Sequence, residues 1–228
     1  MPDDPQQLDA TLKASWDTNA DAWTAAVREG RIASRKAATD AAIVEAVLDG
    51  LPMGGRVLDV GCGEGWLALA LHELGVTVHG VDGSAALVEA ARARGGASFD
   101  VLDYEAAVEN PERLGGPYDV AVFNFAILND DATPILRAAA RQLDDGGRLV
   151  VQTVHPLAVG GGYADGWRRE SFADLGAGFD PMPWYFRTVG SWIRTFRSAG
   201  LAVTDLREPT HSDTGAPLSL LWTTERPG

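Results

Sequence analysis

The residues best suited to chemistry are three glycines in a short turn. Gly61, Gly63 and Gly65 follow an apolar run at 57–60 and precede a helix-like run that begins at Trp66. Glycine lets the backbone turn tightly and approach a ligand with no Cβ in the way. The first N–H groups of a helix have no partner within it, so they can bind an anionic or polar group. This stretch predicts a ligand-binding turn between a strand and a helix.

An acidic residue follows this turn at a spacing typical of ribose recognition. A second apolar run, residues 76–81, ends at Asp82, which comes about 20 residues after Gly61. A carboxylate at that distance binds the hydroxyls of a ribose. The glycine turn, the helix start and this acid together predict a nucleoside pocket at the carboxyl ends of parallel strands.

Two further residues distinguish between nucleoside cofactors. A dinucleotide fingerprint places glycine or alanine where this chain has Trp66, because helix and strand must pack closely there. Asp59 would repel a pyrophosphate, whereas it suits a ligand with an ammonium group. Both residues favour S-adenosylmethionine, which carries a sulfonium and an amino group. They disfavour the alternative, a nicotinamide-dependent oxidoreductase of the same topology.

The sequence resembles the class I S-adenosylmethionine-dependent methyltransferases, and specifically their small-molecule branch. Five segments in chain order carry the resemblance: VLDVGCGEG at 57–65, VHGVDGS at 78–84, FDVLDYEAA at 99–107, YDVAVFNFAIL at 118–128 and LDDGGRLVVQTVHP at 143–156. The resemblance covers residues 40–156 and the last two strands.

This resemblance implies roles for individual residues. Asp82 is the expected ribose ligand, Asp103 is expected to hydrogen-bond the adenine amino group, and Tyr104 is expected to flank the adenine ring. The full set of expected cofactor-binding residues is Trp23, Arg35, Asp59, Gly61, Cys62, Gly63, Asp82, Gly83, Asp103, Tyr104, Asn124 and Phe125.

The N-terminal region resembles the cofactor-covering lid of the same branch. The segment SWDTNADAWTAAV would place Trp23 over the bound cofactor. Arg35 follows shortly after it and could pair with the methionine carboxylate. We therefore expect residues 1–50 to form a helical lid.

His155 ends the fifth predicted strand and is the candidate catalytic residue. At the carboxyl edge of the sheet it would lie beside the substrate, and a histidine can act as a general base near neutral pH. The structural alternative is a hydrogen-bonded histidine that fixes the turn at Pro156. No group of His, Cys, Asp and Glu residues has metal-ligand spacing, so no metal is indicated.

Residues 155–186 interrupt the strand–helix pattern and are rich in glycine, proline and aromatic side chains. We expect them to form an insertion over the carboxyl edge of the sheet. Its aromatic residues either line a substrate pocket or form a minor core. Arg168, Arg169 and Arg187 either bind a substrate carboxylate or lie on the surface.

Alternating strands and helices must position these residues. Amphipathic runs predict helices at 6–30 and 38–50, and a further helix at 187–199. Apolar runs predict strands at 56–60, 76–81, 97–102, 120–123, 148–154, 201–207 and 218–224. This pattern predicts an α/β fold, and the family resemblance implies a Rossmann-like, doubly wound sheet of seven strands with one antiparallel edge strand. We expect residues 1–228 to form a single methyltransferase domain.

The amino-acid composition limits the kinds of partner that the chain is expected to bind. Its 228 residues include 19 Lys and Arg against 32 Asp and Glu, which gives a formal net charge of -13. Such a surface repels nucleic acid and anionic membranes. The single cysteine, Cys62, forms no internal disulfide, so a cytoplasmic location is the simplest expectation. We expect methyl transfer to an O, N or C atom of a small molecule, the alternative being non-catalytic binding of S-adenosylmethionine.

Overall fold

The computed structural model describes residues 4–227. Its main element is a seven-stranded sheet in the order β3-β2-β1-β4-β5-β9-β8, and a separate two-stranded sheet joins β6 to β7. The strands are β1 Arg56–Val60, β2 Thr77–Asp82, β3 Ser98–Val101, β4 Tyr118–Asn124, β5 Leu143–Val154, β6 Gly166–Glu170, β7 Met182–Phe186, β8 Ala202–Arg207 and β9 Ser219–Glu225. The helices are α1 Pro5–Arg28, α2 Asp40–Leu48, α3 Trp66–Glu73, α4 Ala85–Arg92, α5 Tyr104–Glu109, α6 Thr133–Ala140 and α7 Val189–Ser198.

The sheet confirms the predicted fold class. Strands β3, β2, β1, β4 and β5 pair in parallel, and only β9 runs in the opposite direction among the seven. The last strand is thus the antiparallel one, and it lies one position in from the edge because β8 pairs on its outer side. The order reverses between β1 and β4, and ligands of doubly wound sheets bind at such a reversal.

The central strands read as apolar runs because both faces of the sheet are covered. On one face, Phe123, Phe196 and Trp222 belong to a core that α5, α6 and α7 complete. On the other face, Ile43 and Leu71 belong to a core formed with α2, α3 and α4. These two cores hold the carboxyl ends of β1, β2, β4 and β5 at one edge of the sheet.

The N-terminal helix and the insertion form a third, smaller apolar cluster above that edge. Leu12 of α1 packs with Phe172 and Met182 of the insertion. A reciprocal pair of hydrogen bonds joins the two segments, since Asn19 donates to the Asp180 carbonyl (3.0 Å) and accepts from the Asp180 N–H (2.8 Å). The insertion contains the antiparallel hairpin β6–β7, which the sequence pattern did not predict.

Two other elements differ from the predicted ones. A π-helical turn at Arg35–Thr39 leads directly into α2, so the second helical segment begins earlier than residue 38. The short helix α5 was not predicted, and it begins where the Asp103 side chain accepts a hydrogen bond from the Ala106 N–H (2.7 Å). Within residues 4–227, no helix has the length and apolar character that a membrane crossing requires.

Candidate active site

The glycine turn after β1 adopts a conformation that other residues rarely take. Gly61, Gly63 and Gly65 have φ angles of 75°, 55° and 84°. A Cβ on Gly61 would lie 2.5 Å from the Cβ of Ala126, so close approach as well as torsion requires glycine there. The Gly61 N–H also donates to the Val81 carbonyl at 2.8 Å. The turn is therefore fastened to β2.

Asp82, the last residue of β2, links this strand to the glycine turn after β1. Its carboxylate accepts hydrogen bonds from the Gly63 N–H at 2.9 Å and from the Ser84 N–H at 2.8 Å. Burial raises the pKa of Asp82, while those two N–H groups act in the opposite direction. The acid is held in place by backbone donors and lines a cavity beside the glycine turn.

Asp59 is a second buried acid behind the turn. It is 1% exposed, and its Oδ2 atom has no hydrogen-bond partner among residues 4–227. Burial, together with the charge of Asp82, raises the pKa of Asp59 to about 7. An unpartnered buried carboxylate is costly unless a cation or donor completes it. A side chain this buried can act on a ligand through its charge but not by direct contact.

One cavity of about 920 Å³ runs along the carboxyl ends of β1, β2, β4 and β5, below α1 and the insertion. It brings together eleven of the twelve residues predicted to bind the cofactor, and Asp59 is the one that does not line it. The lining members of that set are Trp23, Arg35, Gly61, Cys62, Gly63, Asp82, Gly83, Asp103, Tyr104, Asn124 and Phe125.

Asp103 and Tyr104 lie at the end of β3, where the adenine was expected. The Asp103 carboxylate caps α5 through Oδ1, so its second oxygen is the one left for a ligand. The Tyr104 hydroxyl donates to the Ala126 carbonyl at 3.1 Å, and burial raises the pKa of this tyrosine. The Tyr104 ring packs edge-on against Phe123, with 6.4 Å between the ring centroids.

Asn124 and Phe125 end β4 in a constrained geometry. The Asn124 Oδ1 atom accepts from the Gln152 amide at 3.0 Å, which leaves the Asn124 Nδ2 group as a donor for another partner. The same Gln152 amide donates to the Thr39 carbonyl, also at 3.0 Å. Phe125 has a φ of 53°, a left-handed conformation that is strained for a bulky side chain and concentrates at functional sites.

Comparison with known proteins identifies the family. A family model described as "Methyltransferase domain" matches residues 31–206 of this chain. This chain belongs to the methyltransferase domain family. The match confirms the family that the sequence resembles.

Curated relatives of this methyltransferase-family chain share only a segment with it. The ubiquinone biosynthesis O-methyltransferase of Xanthomonas oryzae pv. oryzae strain PXO99A is 40% identical over 108 residues, which are 45% of this chain and 44% of that protein. The protein-L-isoaspartate O-methyltransferase of Methylorubrum populi is 32% identical over 116 residues, which are 50% of this chain and 53% of that protein. The chain thus spans about half the length of these relatives.

Solved methyltransferase structures share the fold over most of the chain. A putative S-adenosylmethionine-dependent methyltransferase from Listeria monocytogenes has a TM-score of 0.64 at 20% identity, covering 83% of this chain and 99% of that chain. Magnesium protoporphyrin IX methyltransferase from Synechocystis PCC 6803 with bound S-adenosylhomocysteine has a TM-score of 0.66 at 18% identity, covering 98% of this chain and 100% of that chain. At these identities the likeness shows the fold.

In this methyltransferase-family chain, α1 lies along the cavity and contributes Leu12, Trp16 and Trp23 to its wall. The Trp23 ring packs edge-on against Trp16 and Phe172, at centroid distances of 5.4 and 6.2 Å. A hydrogen bond of 2.6 Å from the Ser84 hydroxyl to the Asp17 carboxylate ties α1 to the residue that follows Asp82 by two positions. Helix α1 therefore contacts both the segment that follows Asp82 and the insertion.

Arg35 lines the cavity but is already engaged by neighbouring side chains. Its Nε atom lies 2.8 Å from the Asp40 carboxylate, and its guanidinium lies 4.1 Å from the centroid of the Trp66 ring. Trp66 thus has a structural task that the sequence did not reveal. The contacts with Asp40 and Trp66 fix the orientation in which Arg35 presents its remaining N–H groups to a ligand.

His155 does not lie where the catalytic prediction requires it. It is absent from the cavity lining within the described residues. Its Nδ1 atom accepts from the Leu157 N–H at 3.1 Å, so Nε2 carries the proton and donates to Glu208 at 2.9 Å. Both ring nitrogens are used within the chain. This is the geometry of the structural alternative, and it removes the basis for treating His155 as the general base.

The three arginines considered for a substrate carboxylate, Arg168, Arg169 and Arg187, do not line the cavity. Arg187 is buried between Tyr185 and Trp192 and donates to the Asn129 carbonyl, and burial lowers its pKa to about 10. Arg168 donates to the Gly162 carbonyl at 2.6 Å. Arg187 is neither a ligand nor a surface residue, because its charge is used inside the fold.

The aromatic residues of the insertion divide between the two predicted roles. Phe172 and Trp184 line the cavity. Trp167 packs edge-on against Tyr185, and Phe186 packs against Trp184 and under the guanidinium of Arg168. Phe172 has a φ of 54°, so it too is held in the left-handed region. The insertion therefore contributes both a cavity wall and a small core.

Glu64, a buried acid inside the glycine turn, was not among the predicted site residues. Glu64 is 1% exposed, lines the cavity and lies 2.7 Å from Arg94 and 3.6 Å from Arg28. Arg28 ends α1, so this ion pair fastens the end of the lid to the turn. Both arginines are distant from Glu64 in sequence, and no local pattern identifies them as its partners.

Proposed function

We propose that this chain binds S-adenosylmethionine and transfers its methyl group to an oxygen, nitrogen or carbon atom of a small molecule. The observation that carries the proposal is the pair of buried acids around one glycine turn. Asp82 is fixed against the turn by the Gly63 N–H, and Asp59 lies behind it with an unpartnered oxygen. One acid suits a diol and the other a positive charge.

The described residues fit this cofactor at each of its polar groups. We assign the ribose hydroxyls to Asp82, the adenine amino group to the free oxygen of Asp103, and the ring face to Tyr104. Arg35 is assigned to the carboxylate and Asp59 to the charge of the amino group. When bound, the cofactor supplies a methyl group made electrophilic by its attachment to a sulfonium.

The chain's own contribution to the reaction is position and exclusion of water. Trp23 on the lid and Phe172 on the insertion cover the cavity from above, while Phe125 forms a strained edge at the end of β4. Holding two reactants at contact distance in a dry site provides a large part of the acceleration in such transfers. The proposed mechanism therefore assigns no catalytic step to His155.

We further propose that residues 1–228 act as one methyltransferase domain, with residues 1–50 as its lid and residues 155–186 as an insertion over the active site. The net charge of -13 supports a small-molecule partner over nucleic acid or an anionic membrane surface. A cytoplasmic location agrees with the presence of Cys62 as the single cysteine.

Calorimetry followed by a transfer assay tests the proposed function. We expect S-adenosylmethionine and S-adenosylhomocysteine to bind with one site per chain and NADH not to bind. Incubation with radiolabelled S-adenosylmethionine and a panel of small metabolites should then produce a labelled acceptor. Binding without turnover on any acceptor would favour a non-catalytic binding protein, and binding of NADH instead would overturn the cofactor assignment.

A further inference from the structure

The part of the cavity wall formed by the ends of β4 and β5 and by the insertion carries charge of one sign. We define the acceptor half as the part lined by residues 124–135, 153–159 and 170–184. Among its described lining residues there is no Lys, Arg or His, but there are four carboxylates: Asp130, Asp131, Glu170 and Asp174. An anionic acceptor would meet no positive partner in this half.

Cations elsewhere in the cavity wall do not compensate for this charge. Lys13 lies 2.8 Å from Asp9 and 2.5 Å from Glu105, so its ammonium group is paired with two acids. Arg35 is paired with Asp40, as described above. Lys13 is therefore neutralised, and Arg35 is already assigned to the carboxylate of the cofactor, so neither lining cation is left for an anionic acceptor.

The four carboxylates of the acceptor half differ in their surroundings. The buried guanidinium of Arg187 interacts with Asp130 and Asp131, which partly balances those two charges. Glu170 and Asp174 form no ion pair within 4.0 Å in the part of the chain that the structure describes. The Glu170 Oε1 atom accepts from the Ser171 and Phe172 N–H groups at 2.8 and 2.9 Å. The unbalanced charge thus lies on the insertion.

A second, independent feature of this half is an unpartnered hydrogen-bond acceptor. Asn129 lines the cavity, and its Oδ1 atom is buried with no donor among residues 4–227. Its Nδ2 group donates to the Asp131 carbonyl at 2.8 Å, which fixes the orientation of the amide. A buried acceptor without a donor is unfavourable, so a ligand donor that reaches this oxygen is favoured.

Aromatic rings complete the wall between these groups. Phe172, whose N–H donates to Glu170, packs its ring against Phe179 with 4.8 Å between the ring centroids. Phe125 and Trp184 line the same half. Aromatic faces next to carboxylates attract cations, and they also accommodate the apolar body of a ligand.

Resting on the proposed function, we propose that the methyl acceptor is a small molecule with an aromatic or otherwise apolar body and a basic amine that is protonated at neutral pH. Its ammonium group would lie near Glu170 and Asp174 and donate toward the buried Asn129 oxygen. The proposal specifies the charge of the acceptor and not the atom that receives the methyl group.

Ligands with the same aromatic body and end groups of different charge test this inference. Calorimetry on the complex with S-adenosylhomocysteine would compare 2-phenylethylamine, 2-phenylethanol and 3-phenylpropanoate, and likewise tryptamine and indole-3-propanoate. We expect both amines to bind at least tenfold more tightly than their acids, with the alcohol between them. Equal or tighter binding of the acids, or no binding of either amine, would overturn the inference.

A charge-removing variant links the preference to its proposed source. In Glu170→Gln/Asp174→Asn the ratio of amine to acid affinity should fall at least fivefold, and the Gln oxygen can still accept from the Ser171 and Phe172 N–H groups. Glu109→Gln, which removes an exposed acid outside the cavity, should leave the ratio unchanged. An unchanged ratio in the double variant would also overturn the inference. Loss of S-adenosylhomocysteine binding by the parent protein would instead contradict the proposed function itself.

Discussion

The carboxylate of Asp82 and the N–H of Gly63 lie 2.9 Å apart, so the acid that ends β2 also holds the glycine turn after β1. One side chain thereby shapes the turn and presents oxygen atoms to the cavity. Removing the Asp82 side chain should therefore alter the conformation of the glycine turn and weaken the binding of the ligand.

We expect Asp82→Ala to weaken S-adenosylmethionine binding by about 1–3 kcal/mol, because the ribose loses its hydrogen-bond acceptor. Calorimetry measures this loss. Asp100→Ala on the adjacent strand β3, an exposed acid outside the cavity, is the matched control and should bind normally. Unchanged affinity in a folded Asp82→Ala protein would contradict the assignment.

Asp59 should make the protein less stable as pH rises toward neutrality. Its pKa is about 7 in the folded chain against 3.8 in the reference state, so the folded state holds the proton more tightly. The free energy of unfolding should therefore fall by about 2 kcal/mol between pH 5.5 and pH 8 on account of this group. Urea unfolding at the two pH values measures the change.

The Asp59→Asn variant isolates that contribution. Asparagine does not titrate, so the fall in stability between the two pH values should be smaller than in the parent protein by about 2 kcal/mol. The same variant should bind S-adenosylmethionine more weakly, since it lacks the negative charge assigned to the amino group. An identical pH dependence in parent and variant would show that the pKa of Asp59 in the folded protein is not near 7.

His155→Gln should leave turnover and cofactor affinity within about threefold of the parent, a change below 1 kcal/mol. The free energy of unfolding should fall by about 1–3 kcal/mol, because the hydrogen bonds to Glu208 and the Leu157 N–H are disturbed. Glu208→Gln provides a comparison from the other side of the pair. A loss of turnover of 100-fold or more at normal cofactor affinity would restore His155 as a catalytic residue.

Trp23→Ala should raise the dissociation constant of S-adenosylhomocysteine about 2- to 12-fold, the range that one lost aromatic packing partner of 0.5–1.5 kcal/mol corresponds to. Trp23→Phe keeps an aromatic ring in the lid and should show a smaller effect. Stopped-flow dissociation would reveal whether the lid acts on release. If the alanine variant released the ligand at the parental rate, Trp23 would not cover it.

Most of the sheet was predictable because its central strands are continuous apolar runs. Val57, Leu58 and Val60 are almost completely buried on both faces of β1, and such strands have a clear sequence signature. The glycine turn and Asp82 were predictable for a related reason. Their roles depend on residues close in sequence, and the turn itself requires glycine.

Features that depend on distant partners were not predictable. The hairpin β6–β7 is set by pairing between Trp167 and Tyr185 across a long loop. The role of His155 depends on Glu208, 53 positions later in the chain. The role of Arg187 depends on the carbonyl of Asn129, 58 positions earlier in the chain. In each case the deciding contact is absent from the local pattern.

The reciprocal bond between Asn19 and Asp180 has a consequence for the exchange of segments between relatives. These residues are 161 positions apart, yet each satisfies the other's backbone or amide group. A new hairpin of different length would leave the Asn19 amide inside the protein without its match. We therefore expect that exchanging α1 or the insertion alone with a relative weakens folding, whereas exchanging both together keeps this contact.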